Sequence, residues 1–411
     1  MNGPMLLVFV TILVVTWLPE IAQCQDENEE TIDICAPESR AEGWESCLTL
    51  QQYINNSSSH NLSSEAMLFR LLPGRHTLNG TERLVVSNTN FTMVSVNEGA
   101  ILDCRGGSDT IQHNIVFLSI DNGSVQFNSV NVIGCRLYFS DIYDITINGG
   151  YFYGVRDRDP AVVYPAAVTV VRAMSVYVRK WNCSNYEGGC LNLTDTTLNL
   201  SSSNFTNNLN TVITTLRADL NIDMCFFDSN RGELGGVINA NSVRIDITCS
   251  TFTNNAATGS GGVFFINESS LFLTSSIFES NSAGQHGGVF LLESTNINMV
   301  SSTISNNVAL LSGGAGRIMH GSISFRETNF QSNSAANRSN FVTLCFAGVD
   351  PRDEIHLLRG PQDSDNCKPY DGNITDYQNC CPNACKSGEY KIIINDIMVS
   401  VIMVHGKATS G

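Results

Sequence analysis

The chain has 411 residues, a formal net charge of −16 and only 15% charged residues. That balance argues against nucleic acid and anionic membrane surfaces as partners, since both need basic patches. It also disfavours, less strongly, an anionic polysaccharide.

The apolar run Leu6 to Leu18 leads to Ala22-Gln23-Cys24, a small-x-small cleavage site. Residues 1–24 are therefore expected to be a secretory signal peptide. The run is shorter than the roughly 20 apolar residues that a membrane span needs. An extracellular location is expected, secreted or at the cell surface, with no direct membrane insertion after signal removal.

Residues 25–65 are expected to form an N-terminal cap. Its first ten residues are acidic and read as a solvated tail. The stretch Cys47 to Ile54 has helical spacing and would cover the open end of a repeat stack. Residues 66–341 carry short strand-like runs between Gly, Asn and Ser turns. Within them, Tyr151 to Pro160 interrupts the pattern and is expected to loop out. Residues 342–390 read as a Cys-rich tail, and 391–411 as an apolar segment too short to span a bilayer.

The regular part repeats. Phe205, Phe227, Phe252, Phe278, Ile304 and Phe330 are each followed three residues later by an asparagine: Asn208, Asn230, Asn255, Asn281, Asn307 and Asn333. The steps between these apolar residues are 22, 25, 26, 26 and 26, a repeat-architecture period. Diglycines at 188, 235, 261, 287 and 313 each precede the next apolar residue by 17 positions. Between them the pattern alternates, as in Leu271-Phe272-Leu273, which reads as strand with one buried face. The fold expected is all-β, a right-handed parallel β-helix with rungs of 22–26 residues, regular from about residue 185. Stacked rungs would bring the asparagines into a ladder, with Asn tolerating the left-handed backbone its turn needs.

Rung spacing also pairs cysteines. Cys104 with Cys135, and Cys225 with Cys249, lie about one rung apart; Cys35 with Cys47 and Cys183 with Cys190 are local candidates. The late cluster Cys345, Cys367, Cys380, Cys381 and Cys385 lacks paired C-x-x-C units, so disulfides are favoured over zinc. Glycosylation candidates are Asn61, Asn79, Asn90, Asn122, Asn192, Asn267 and Asn373.

The pairing of Phe252-Thr253-Asn254-Asn255 with Gly261-Gly262-Val263, and of Phe278-Glu279-Ser280-Asn281 with Gly287-Gly288-Val289, resembles the repeats of polymorphic outer membrane proteins. More broadly the chain is similar to the pectin-lyase-like superfamily, whose opening strand-turn resembles Leu71 to Leu78. The repeat resemblance covers about residues 185–341 and implies a β-helix. Many members of that superfamily act on polysaccharides, but the carboxylate sets of the polygalacturonase type are missing here. Asp103 reads as a turn residue, and Asp141 with Asp144 as a solvated rung edge. The calcium repeat G-G-x-G-x-D is absent as well. No catalytic residue, metal or cofactor is expected.

Tyr151, Tyr153, Arg156, Asp157 and Arg158 form the best binding candidate, because protruding loops carry function. The chain is expected to recognise a glycan or an extracellular protein without catalysis. The alternatives are a polysaccharide lyase or hydrolase of this fold, and a structural module of a larger receptor.

Overall fold

A computed structural model describes residues 29–36, 48–57, 66–78, 84–104, 116–155, 165–336, 342–345, 356–358, 389–394 and 397–402. The chain winds into a parallel β-solenoid of about 9 turns. One rung runs Ile238–Asn241, Arg244–Thr248, Thr251–Thr253 and Ala256–Ala257, and the next starts at Phe264–Asn267. Each strand pairs in parallel with its counterpart one rung on: Ile238 with Phe264, Ile245 with Leu271, Phe252 with Phe278, Ala257 with Ala283. The fourth strand is only two residues long. We refer to the stacked strands as the first, second, third and fourth faces. Arg136–Asn148, Val168–Arg179 and Leu191–Ser201 run through both the first and second faces, joining them into one 21-stranded sheet.

Single left-handed residues turn the corners. In the rung above they are Ser242 (φ 57°), Cys249 (φ 46°) and Asn254 (φ 55°), and each stacks on left-handed residues in the following rungs. This corrects the expectation for the asparagine column. The residue with positive φ is the one before each ladder asparagine: Asn207, Ser229, Asn254, Ser280, Asn306 and Ser332. The ladder residues themselves are buried. Asn255 Nδ2 donates to Asn281 Oδ1 (3.1 Å) and to the Phe227 carbonyl (3.0 Å), and its backbone N–H donates to Asn281 Oδ1 (2.9 Å). The same three bonds recur from Asn208 to Asn307. A serine column does similar work at the second corner. Ser250, Ser276 and Ser302 accept from the backbone N–H one rung before and donate to a carbonyl two residues back. The buried side chains of these two columns are therefore hydrogen-bonded, as buried polar groups need to be.

Inside, like stacks on like. The Phe205, Phe227, Phe252 and Phe278 rings lie 4.8 Å apart at interplanar angles of 9°, 3° and 10°. Trp181 extends this stack edge-on to both Phe205 and Phe152. The diglycine has two separate causes. The first glycine adopts φ near 70° (Gly235 69°, Gly261 70°), open to glycine at no steric cost. A Cβ on the second would meet the next rung's carbonyl, at 2.1 Å for Gly262 against Gly288.

Glu29–Ile34, expected as a solvated tail, is a parallel strand against Ala66–Leu71. Its alternation places Ile34 in the core while Asp33 faces Arg70 at 3.5 Å. The helix Leu50–Ser57 follows, with Thr49 and Gln52 exchanging side-chain to backbone bonds in a capping box. Its Tyr53 packs edge-on against Phe69 and covers the first turns. At the other end, Val342–Cys345 and His356–Leu358 extend the second-last rung in parallel, and Glu389–Ile394 pairs antiparallel with Ile397–Ile402.

Cys104–Cys135 and Cys183–Cys190 are disulfides. Cys35 is disulfide-bonded, and Cys47 lies outside the described residues. Cys225 and Cys249 are not bonded to each other; both are free. The reason is a one-residue offset. Cys225 occupies the inward serine column, since its N–H donates to Ser250 Oγ. Cys249 is the left-handed corner residue before Ser250 and faces solvent.

Candidate functional site

Outward positions on the second and third faces are mostly small and polar. One second-face column reads Asn199, Asn221, Asp246, Phe272, Asn298, Ser324. A third-face column reads Asn182, Asn204, Phe226, Thr251, Ile277, Thr303, Asn329. The main departure lies on two consecutive rungs before these. There Tyr143 (63% exposed), Met174 (71%), Tyr177 (48%), Tyr151 (39%) and Tyr153 (37%) all face solvent. Buried neighbours set their directions: Ile142, Ile145, Phe152, Val176 and Val178 take the inward positions.

Tyr151–Tyr153 is not a loop. It is a third-face strand, paired with Asn182–Ser184 on one side and, through Phe152 and Tyr153, with Val132 and Ile133 on the other. Phe152 points in, so the two tyrosines flank it outward, with ring centroids 5.7 Å apart. Ser184 Oγ donates to Tyr151 Oη at 3.3 Å, which fixes that ring. On the second face, Tyr177 pairs with Thr146 and Arg179 with Asn148. Between the two faces sits the corner Gly149 (φ 72°) and, one rung on, Lys180 (φ 53°). The patch thus wraps one edge of the coil, with tyrosines on both sides of it. Arg156, Asp157 and Arg158 lie outside the described residues.

Of the carboxylates nearby, Asp144 beside Tyr143 is exposed, and the others are engaged. Asp141 and Arg172 stack at the first corner and form two bonds, 2.5 and 2.7 Å, and Asp195 with Arg217 repeats this at 2.6 and 2.9 Å. The guanidinium groups hold both carboxyls below the ordinary range. Asp103 is buried at a strand end and bonded by Arg75 at 2.6 Å, so it is not a turn residue. At Asp228 burial acts to raise the pKa, but hydrogen bonds from Asn254, Thr253 and Ser229 outweigh it and lower it overall. Asp246 is paired with Arg244 at 2.9 Å, and Arg244 also lies 4.5 Å over Phe272. Among the described residues, no three His, Cys, Asp or Glu side chains gather to hold a metal, and no helix is long and apolar enough to cross a membrane.

Of the glycosylation candidates, Asn90, Asn122 and Asn192 are exposed and Asn267 is half-buried, while Asn61, Asn79 and Asn373 lie outside the described residues. Sequence reasoning missed Tyr143, Met174, Tyr177, Arg179 and Lys180. The signal was present in the alternation of Val168 to Arg179, where Met174 and Tyr177 fall on the phase that should be polar.

No protein-family model matches the chain, and no curated protein does. Similar solved structures are parallel β-helix proteins. One is PfbA, a surface adhesin of Streptococcus pneumoniae, at 11% identity and TM-score 0.37, covering 71% of this chain and 89% of that one. Others are the A-modules of the Azotobacter vinelandii mannuronan C-5 epimerases AlgE6 (7% identity, TM-score 0.29) and AlgE4 (9%, 0.27), each covering 76% of this chain and 95% of its own. The likeness is one of fold and carries no activity to this chain. It does overturn the expectation that the chain is not an enzyme. Two of these coils are enzyme modules by name, so a missing polygalacturonase-type set excludes little.

Proposed function

We propose that this is an extracellular recognition protein that binds a glycan along the edge between its second and third faces, at the rungs of Tyr143 to Ser184. The observation that carries the reading is the crowding of exposed aromatic side chains there. Tyr151, Tyr153 and Tyr177 lie on two neighbouring rungs at this edge, with Tyr143 on the same rungs at the far side of the second face, whereas most other outward positions carry Asn, Ser or Thr. Exposed apolar patches of this kind mark interaction sites, and a tyrosine offers an apolar ring with a polar tip. A pyranose has the complementary form, with apolar C–H faces and a rim of hydroxyls. The Cys104–Cys135 and Cys183–Cys190 disulfides, the bonded Cys35 and the exposed N-x-[S/T] acceptors support an oxidising, secreted setting. Kinship with the pectin-lyase-like superfamily and with polymorphic outer membrane protein repeats belongs to this reading too, on the F-x-x-N and diglycine residues.

The test is a glycan array probed with the secreted protein and with Tyr151→Ala/Tyr153→Ala. Both side chains are exposed, so the variant should keep its thermal stability and lose the array signal. Retained binding by a folded variant would overturn the proposal.

A further inference from the structure

The same edge carries a charge anomaly. Acidic residues outnumber basic ones 39 to 23 in this chain, and most described exposed arginines lie against a carboxylate. Arg70 faces Asp33, Arg75 Asp103, Arg172 Asp141, Arg217 Asp195, Arg244 Asp246 and Arg326 Glu327. Arg179 and Lys180 are both exposed and form no ion pair among the described residues; Arg231 is the other such case.

The rung register explains why. Arg179 has Asn148 on one side and Ser201 on the other. Lys180 stacks between the left-handed corner residues Gly149 and Ser202. The next carboxylate in the Arg179 column is Asp223, two rungs or about 10 Å away, and it is bonded by Thr248 Oγ1 at 2.6 Å. Among the described residues, the neighbouring rungs therefore offer these cations no counter-ion.

Their position relative to the tyrosines is specific. Tyr177 and Arg179 project from the second face two residues apart, about 7 Å. Lys180 turns the corner, and Asn182 follows on the third face beside Tyr151. A sugar chain with its rings on the tyrosines of either face would carry its ring substituents across two unneutralised cations. An arginine fork binds a planar carboxylate or a sulfate through two bonds, and lysine adds a point charge.

We infer that the ligand at this edge is an acidic glycan, carrying carboxylate or sulfate groups that Arg179 and Lys180 hold between Tyr177 and the Tyr151–Tyr153 pair. The inference rests on the glycan-binding reading above. It reverses, for this edge, what net charge suggests, because the chain's negative charge is screened beyond about 10 Å at moderate salt while the two cations are in contact range.

Three probes test it in equilibrium binding: a chondroitin sulfate hexasaccharide, its desulfated form, and neutral chitohexaose. The wild type should bind the sulfated or the desulfated acidic probe at least about tenfold more tightly than chitohexaose, and that preference should shrink with added salt. Arg179→Gln/Lys180→Gln should lose the preference and keep the weaker neutral binding. Loss on desulfation assigns the contact to sulfate, and retention assigns it to carboxylate. Equal affinity for chitohexaose, a preference that survives the double variant, or failure of both acidic probes to bind overturns the inference. If glycan binding of any kind is insensitive to Tyr151→Ala/Tyr153→Ala, the broader reading fails instead.

Discussion

Asn281→Ala should be among the most damaging single substitutions in the coil. Asn281 Oδ1 accepts from the Asn255 backbone N–H (2.9 Å) and from Asn255 Nδ2 (3.1 Å). Its Nδ2 donates to the Phe252 carbonyl (2.9 Å) and to Asn307 Oδ1 (3.0 Å). Truncation leaves the Asn255 backbone N–H and one of the two Asn255 Nδ2 hydrogens without an acceptor, while Nδ2 keeps its bond to the Phe227 carbonyl (3.0 Å), and it takes one bond from Phe252. Asn307 Oδ1 keeps its bond from the Asn281 backbone N–H, at 2.8 Å. The unpaired backbone N–H costs about 1–3 kcal/mol, and the half-lost Nδ2 pairing adds about 0.5–1.5 kcal/mol. Asn208→Ala is the internal comparison. Its Oδ1 accepts only from the Tyr186 N–H (3.0 Å), where the ladder ends. One orphaned donor predicts about 1–3 kcal/mol. Urea unfolding followed by circular dichroism reads both, with Asn298→Ala on the solvent side as control. If Asn281→Ala costs no more than Asn298→Ala, the ladder does not hold the rungs together.

Phe252→Ala removes the middle of the Phe stack, between rings 4.8 Å away on either side, and should cost about 3–5 kcal/mol. Phe252→Leu should cost clearly less, and equal losses would contradict stacking as a contributor. His286 is half-buried, with Nδ1 2.8 Å from Ser312 Oγ; burial, and then the Arg317 charge, push its pKa down from 6.5 to about 4. The unfolded chain therefore takes up a proton that the folded chain refuses, so stability present above pH 6.5 is lost as pH falls toward 4. After screening of a partly exposed ring the loss is about 1 kcal/mol. His286→Gln should flatten that part of the pH–stability curve, and an unchanged slope would assign it to other groups. Native alkylation should label Cys249 and spare Cys225, whose thiol burial pushes up to about 12. A native protein that labels neither, with a mass showing both hydrogens lost, would restore the disulfide.

The repeat was legible because stacked rungs place the same demand on the same position. The second glycine of the pairs at 235, 261 and 287 has no room for a Cβ, and each ladder asparagine from Asn208 to Asn307 bonds the asparagine one rung on. Alternation alone could not fix which residue turns a corner. Cys225 and Cys249 looked equivalent beside Phe227 and Phe252, yet one extra residue puts the first in the core and the second on the corner. The rungs before residue 180 were harder. Their first corner is made by Asp141 and Arg172, not by Ser, and Arg136–Asn148 and Val168–Arg179 run through it as single strands. Tyr151–Tyr153 read as a loop because its outward positions are aromatic where the repeat has polar residues. Acidic residues likewise hid the alternation that makes Glu29–Ile34 a strand. The candidate site lies where the sequence is least like its own repeat, so repeat-based reading located it only in part.

The most direct test is the glycan affinity of two matched double variants. Tyr151→Ala/Tyr177→Ala removes aromatic surface on both sides of the proposed edge, and Phe226→Ala/Ile277→Ala removes exposed apolar surface from later rungs of the third face. If the edge is the binding surface, the first variant loses binding while staying folded and the second binds like the wild type. Loss in the second with binding kept in the first would place the ligand elsewhere on the coil and contradict the account.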